Sequence, residues 1–183
     1  MSNLFQKYKG VIRFILIFLG VYILLSFSYH YYLSWSEGKD YYPDYVTYKV
    51  AHQSEKLICK MGFPVDVELH EELKGLKLLV HNRYTALIVE GCNAISVIIL
   101  FIAFVISFYQ GIKRTVLFVL VGGTLIYLFN VLRIAIITIL YYRFPQYEKI
   151  LHQIIFPALI YGMVFLLWMY WVKQFKNQKE VNE

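Results

Sequence analysis

The chain has 183 residues, 59% of them hydrophobic and 16% charged, with a net charge of +6 and a mean hydropathy of +0.53. A soluble domain of this size is far less apolar, so the composition excludes one and marks an integral membrane protein. The basic residues cluster beside the apolar runs, which makes the positive charge a topology signal, and no nucleic-acid partner follows from it.

Four runs are long enough to cross a bilayer, which needs about 20 mostly apolar residues, or somewhat fewer where the protein thins it. The first, 11–33, follows Lys7 and Lys9. It superficially resembles a secretory signal. Its apolar stretch is longer than the roughly 7–15 residues of a signal core and no small-residue cleavage site follows, so it is expected to stay as an anchor. Arg13 lies a turn into this helix and can snorkel back to the headgroups.

Residues 34–91 form the only segment with room for a small water-exposed unit, and there nine Asp and Glu face seven Lys and Arg. Val46, Val50, Leu57, Ile58 and Met61 repeat at helical spacing between Asp44 and Gly62, which predicts an amphipathic helix lying on the membrane or on the bundle. Gly62 and Pro64 break it. Val65, Val67 and Leu69 alternate with Asp66, Glu68 and His70, and Leu76, Leu78 and Val80 follow less cleanly, so a short sheet or hairpin is expected. Tyr84 to Glu90 adds a third strand leading into Cys92. The whole chain, 1–183, reads as one polytopic membrane domain without repeats or linkers.

The second run, 94–110, opens directly after Glu90-Gly91-Cys92-Asn93-Ala94. Lys113 and Arg114 form a tight turn into the third run, 115–131, which closes on Asn130 and Arg133. Ile134 to Tyr142 is apolar and ends in Tyr141-Tyr142-Arg143-Phe144-Pro145, the pattern of a helix lying in the outer interface. The competing reading makes 115–142 one helix of 28 residues, about 42 Å long, with Arg133 inside the bilayer. His152 stands just before the fourth run, 154–172, which Lys173, Lys176 and Lys179 follow. With four spans all three basic clusters fall on one side, so both termini are expected to be cytoplasmic and 34–91 to lie outside.

Counting from Lys113, Cys92 lies 21 residues back and Arg133 lies 20 residues on. Two antiparallel helices rising about 1.5 Å per residue bring both to nearly equal height, about 30 Å from the turn. His152 reaches the same face from the last span. A thiolate attacks, a fixed cation holds charge and a titratable imidazole moves protons, which is the minimum set for acyl transfer by cysteine. Cys92 is therefore the candidate nucleophile, its thiolate favoured by a helix start and by Arg133. Arg133 keeps its proton at ordinary pH and can pair the thiolate and then an oxyanion. His152 is the candidate general acid and base. Asn130, one turn before Arg133, can orient it.

Cys92 in its Glu-Gly-Cys-Asn-Ala setting, Asn130-Val131-Leu132-Arg133 and the isolated His152 together resemble the Cys, N-x-x-R and His signature of the exosortase/archaeosortase family. The few spans are most similar to the short exosortase F type. The resemblance covers about half the chain, from Glu90 to the end of the last helix. It implies a sortase-like cysteine transpeptidase or protease in the cytoplasmic membrane, with its active site on the extracytoplasmic face. The implied substrates are exported proteins ending in a sorting signal of short motif, hydrophobic helix and basic tail, and the acceptor stays open. Membrane lipid is the other expected partner; no cofactor or metal is expected. Many members carry Ser-Gly after the cysteine, where Asn93-Ala94 stand here.

Taken singly, each residue also has a structural reading. Cys92 can be a small buried hydrophobe, Arg133 can snorkel, and His152 can be an ordinary interfacial histidine. The non-enzymatic alternative is a membrane scaffold or assembly subunit whose Arg133 pairs with a partner's acid. Other chemistries lack parts. His70-Glu71-Glu72-Leu73-Lys74 begins like a zinc-protease helix, but Lys74 stands where the second His belongs. Glu71-Glu72 lacks the Arg expected of intramembrane CAAX-type proteases, since Leu76 is there. No G-x-S-x-G elbow occurs. Cys59 and Cys92 leave a disulfide or a redox role open, though no C-x-x-C pair exists.

Overall fold

The computed structural model describes residues 2–36 and 41–182, with side chains described over 8–36 and 41–174. Of the basic residues that carry the orientation, Lys7, Lys176 and Lys179 have side chains outside that description. The chain is mostly helical with one small sheet. Helix α1 spans Ser2–Ser36. Leu16, Ile23, Leu24 and Phe27 along it are exposed, as an apolar helix is when lipid is its solvent.

Helix α2 spans Tyr45–Lys60. It starts where Asp44 stops being extended: its carboxylate accepts from the backbone amides of Val46 and Thr47 at 2.9 and 3.1 Å, a side-chain cap on otherwise orphaned donors. Its buried residues are Thr47, Val50, Ala51, Ser54 and Ile58, one face at the 3.6-residue period. Of the apolar positions that suggested this helix, Met61 is exposed. Gly62, at φ +89, ends it in the left-handed region where glycine meets no steric cost.

Three strands follow, β1 at Val65–Leu69, β2 at Gly75–Val80 and β3 at Arg83–Val89. They form an antiparallel sheet in the order β1-β2-β3. The β2–β3 turn is His81-Asn82, both at positive φ, the two-residue hairpin conformation that matches strand twist. The pairing of β2 with β3 slips at Leu78/Leu79: Leu78 faces Ala86 and Leu79 faces Tyr84, leaving Thr85 as a bulge.

Helix α3 spans Ile95–Ser107, α4 spans Ile112–Arg143 and α5 spans Phe156–Asn182. Three stretches are long and apolar enough to cross a membrane: Tyr8–Ser36, Ile112–Arg143 and Pro145–Gln174. The fourth expected span, 94–110, appears as the 13-residue α3, about 20 Å long. Its end is held by α5. Trp171 Nε1 donates to the Val105 and Phe108 carbonyls at 3.2 and 3.0 Å, and Gln110 Nε2 donates to the Trp171 carbonyl at 2.9 Å, so carbonyls that a helix terminus leaves open are satisfied by a neighbouring helix. Close packing of α3 on α4 needs Gly122: a Cβ there would lie 2.3 Å from the Phe101 ring, and Phe101 is fully buried.

The break expected after Val131 does not occur. Helix α4 runs unbroken for 32 residues, about 48 Å, and the separate interfacial helix over Ile134 to Tyr142 is its continuation. No Gly or Pro stands between Gly123 and Pro145, so nothing local stops the helix. Its outer apolar residues pack on protein. Val131, Ile134, Ala135 and Ile139 share one core with Val50, Ala51 and Ile58 of α2 and with Leu76, Leu78, Val80 and Ile88 of the sheet. A second core joins α3, the N-terminal half of α4 and α5 through Phe101, Val105, Ile126, Ile160, Val164 and Trp171. The small subdomain thus sits on the C-terminal half of α4.

Candidate active site

Strand β3 delivers the chain into a tight turn of 3-10 type over Glu90–Cys92, and Cys92 is its last residue, just ahead of α3. Asn93 pins this junction. Its side chain is buried; its Oδ1 accepts from the Ile95 amide at 3.0 Å, while its Nδ2 donates to the Tyr29 hydroxyl at 2.7 Å and the Thr47 hydroxyl at 3.1 Å. One amide therefore ties the start of α3 to α1 and α2. Ala94 follows at φ +66, a left-handed position that glycine occupies without strain. The residue pair that stands where many members of the resembled family carry Ser-Gly is thus what holds the turn after the cysteine.

Asn130 is buried on α4, and its Nδ2 donates to the Cys92 carbonyl oxygen at 2.7 Å. Its described hydrogen bond goes to the cysteine's backbone rather than to Arg133. This contact clamps the Cys92 turn to α4 at the level of Arg133. The thiol itself is half-buried, and both Cys92 and Cys59 are free; Cys59 lies at the far end of α2, with its sulfur toward the Val65 carbonyl.

A cavity of about 220 Å³ opens beside Cys92. Arg133 and His152 line it too, together with residues 84–88 of β3, Ile134, Ile137, Thr138 and Tyr141 of α4, and Glu148. Arg133 is half-buried, its Nε is buried without a hydrogen-bond partner, and Cys92, Tyr141 and Tyr161 all lie within its electrostatic reach. The Tyr141 hydroxyl is likewise buried and unpartnered. Buried donors are normally paired. Two unpartnered ones here belong to residues that line the same cavity.

His152 is exposed at the cavity rim. After α4 ends at Arg143, Pro145–Tyr147 turns the chain back and Leu151–Ile155 forms a wide π-type turn ahead of α5. Such turns shift the phase of the residues that follow and recur at functional sites. The continuous α4 therefore does not carry His152 away: the chain rises past Arg133, reverses at Pro145 and descends with His152 over the same cavity.

Tyr141 and Glu148 were not singled out by the sequence pattern. Arg133, Ile137 and Tyr141 are spaced four apart and share a helix face, a stripe visible only if the helix is continuous. Among the described residues no group of three or more His, Cys, Asp or Glu side chains could hold a metal ion.

Compared with known families, residues 9–170 match the model described as Transmembrane exosortase. No curated protein and no solved structure is similar enough to match the chain.

Proposed function

The chain belongs to the transmembrane exosortase family, and from that premise we propose that it is a membrane-embedded cysteine transpeptidase or protease with Cys92 as its nucleophile. The observation that carries this reading is the shared cavity: thiol, guanidinium and imidazole, distant in sequence, line one pocket. The substrates are exported proteins whose C-terminal sorting signal joins a short motif to a hydrophobic helix and a basic tail. The low number of spans supports the short exosortase F type.

In the first half-reaction the Cys92 thiolate adds to the scissile carbonyl, and the developing oxyanion is met by the Arg133 guanidinium. Collapse of the tetrahedral intermediate breaks the C–N bond, His152 gives its proton to the leaving amine, and the upstream part of the substrate remains as a Cys92 thioester. In the second half-reaction His152 takes the proton of an incoming amine, hydroxyl or water, which adds to the thioester and regenerates the thiolate. Asn130, holding the Cys92 carbonyl, positions the nucleophile against α4.

The topology that fits this chemistry has four crossings, α3 being a short one sheathed by its neighbours, with both termini cytoplasmic and the cavity on the extracytoplasmic face of the cytoplasmic membrane. Lys9, Lys113, Arg114 and Lys173 then share the inner side.

Cys92→Ala and Cys92→Ser should both abolish processing in a protein that still inserts and folds, because a serine hydroxyl at neutral pH does not replace a thiolate without a stronger base. The readout is accumulation of an exported protein with its C-terminal helix uncleaved. Near wild-type processing by Cys92→Ser would remove the nucleophile, and activity in Cys92→Ala would favour a scaffold.

A further inference from the structure

Strand β3 is an edge strand: β2 pairs along one side of it, and among the described residues no strand pairs along the other. No backbone hydrogen bond from outside the sheet reaches residues 84–88 among those described. Yet all five of these consecutive residues line the cavity that holds Cys92, Arg133 and His152. Successive side chains of a regular strand point to opposite faces, so a cavity touching Ala86, Leu87 and Ile88 in a row, beyond the Thr85 bulge, lies along the strand's edge. The side of β3 away from β2 carries the backbone N–H and C=O groups that no strand pairs among the described residues. Such an edge is a template for another extended chain.

We propose that the segment of the substrate just ahead of its hydrophobic helix binds as a fourth strand on the free edge of β3, parallel to it, which carries the scissile bond to Cys92. The proposal rests on the peptide-cleaving role given to Cys92 and adds the mode of substrate recognition. Direction follows from connectivity. Strand β3 runs through Glu90–Cys92 into an apolar helix, and the substrate motif likewise runs into its own hydrophobic helix at the same face, so the two chains are parallel. Length follows from the bulge. Thr85 interrupts the regular pairing and bulges commonly end or redirect a ladder, leaving Ala86 to Val89 as straight edge, about 13 Å. A cavity of about 220 Å³ has room for roughly 7 waters at about 30 Å³ each, the space of one or two residues rather than of a folded partner. Main-chain pairing supplies sequence-independent affinity, and alternate side chains facing Tyr84, Thr138 and Tyr141 supply selectivity.

The test uses the purified full-length protein in detergent and three probes: methyl vinyl sulfone, N-acetyl-tetraalanyl vinyl sulfone, and tetraalanyl versions N-methylated at alternate residues. Each alkylates a thiolate by addition across its double bond, with a proton taken up from water. Mass spectrometry separates Cys92 from Cys59, which serves as the internal reference. The ratio of peptidyl to methyl probe cancels the intrinsic reactivity of each thiol. Strand addition predicts a larger ratio at Cys92 than at Cys59, by about 2- to 12-fold for each main-chain hydrogen bond formed. N-methylation at one alternate pair should erase the gain, and at the other pair should leave it, because only every second residue turns its N–H toward β3. Equal ratios at the two cysteines, or N-methyl effects that do not alternate, would overturn edge pairing. Failure of the catalytic reading is separate: Cys92 would then react with iodoacetamide no faster than Cys59.

Discussion

Arg133 is the residue at which the alternatives separate. A snorkelling arginine extends to the headgroups, whereas this one keeps a buried, unpartnered Nε beside Cys92. Lysine snorkels equally well but offers a single ammonium in place of a planar fork of donors. Arg133→Lys should therefore lower processing by about 10²–10³, the usual cost of one preorganised oxyanion donor, with expression and insertion unchanged. The measurement is the rate at which a substrate loses its C-terminal segment at matched enzyme levels, and a wild-type rate would reduce Arg133 to an anchor. Asn93 works differently. It reaches no substrate, but its three hydrogen bonds to Ile95, Tyr29 and Thr47 fix the turn that aims Cys92, and a loss there would loosen three helices together.

Helix α4 is the element on which the architecture depends. Its N-terminal half packs on α3 and α5, its C-terminal half forms the floor of the sheet and α2, and the candidate site lies where the two halves meet. Gly122 sets the α3–α4 spacing. In Gly122→Ala the added methyl collides with the buried Phe101 ring, and such overpacking typically costs about 1–3 kcal/mol. The thermal unfolding midpoint in a single detergent should fall. Gly123→Ala is the control: its methyl would meet only Ile98 at 3.8 Å, and the gain in helix propensity of about 1 kcal/mol should leave stability unchanged or raised. Equal effects at the two positions would show that Gly122 does not govern the packing.

At the scale of the molecule the question is which side of the membrane holds the cavity. Tyr147 is exposed at the reversal between α4 and α5. In a background of Cys59→Ala and Cys92→Ala, Tyr147→Cys should react with a membrane-impermeant maleimide added outside intact cells. Protection there, with labelling only after lysis, would invert the orientation and place the cavity on the cytoplasmic side.

Much of this was legible in the residues alone. Hydropathy depends on composition over windows of about 20 residues and needs no neighbours, so the membrane class and the runs that became α1, α4 and α5 could be read directly. Helix α2 and the third strand were legible because amphipathic and alternating patterns state which face is buried. Residue counts of 21 and 20 on either side of Lys113 suggested one height for Cys92 and Arg133, although the helical rise assumed on the first side holds only over the 13 residues of α3. Only the tertiary structure decided what covers Ile134 to Tyr142. Apolar side chains facing lipid and apolar side chains facing a protein core are the same residues, so the sequence could not distinguish a separate helix lying on the membrane from a continuation of α4 covered by a sheet. The same ambiguity hid Tyr141, the role of Asn93 and the open edge of β3, because a hydrogen-bonding group shows whether it is satisfied only when its neighbours in space are known.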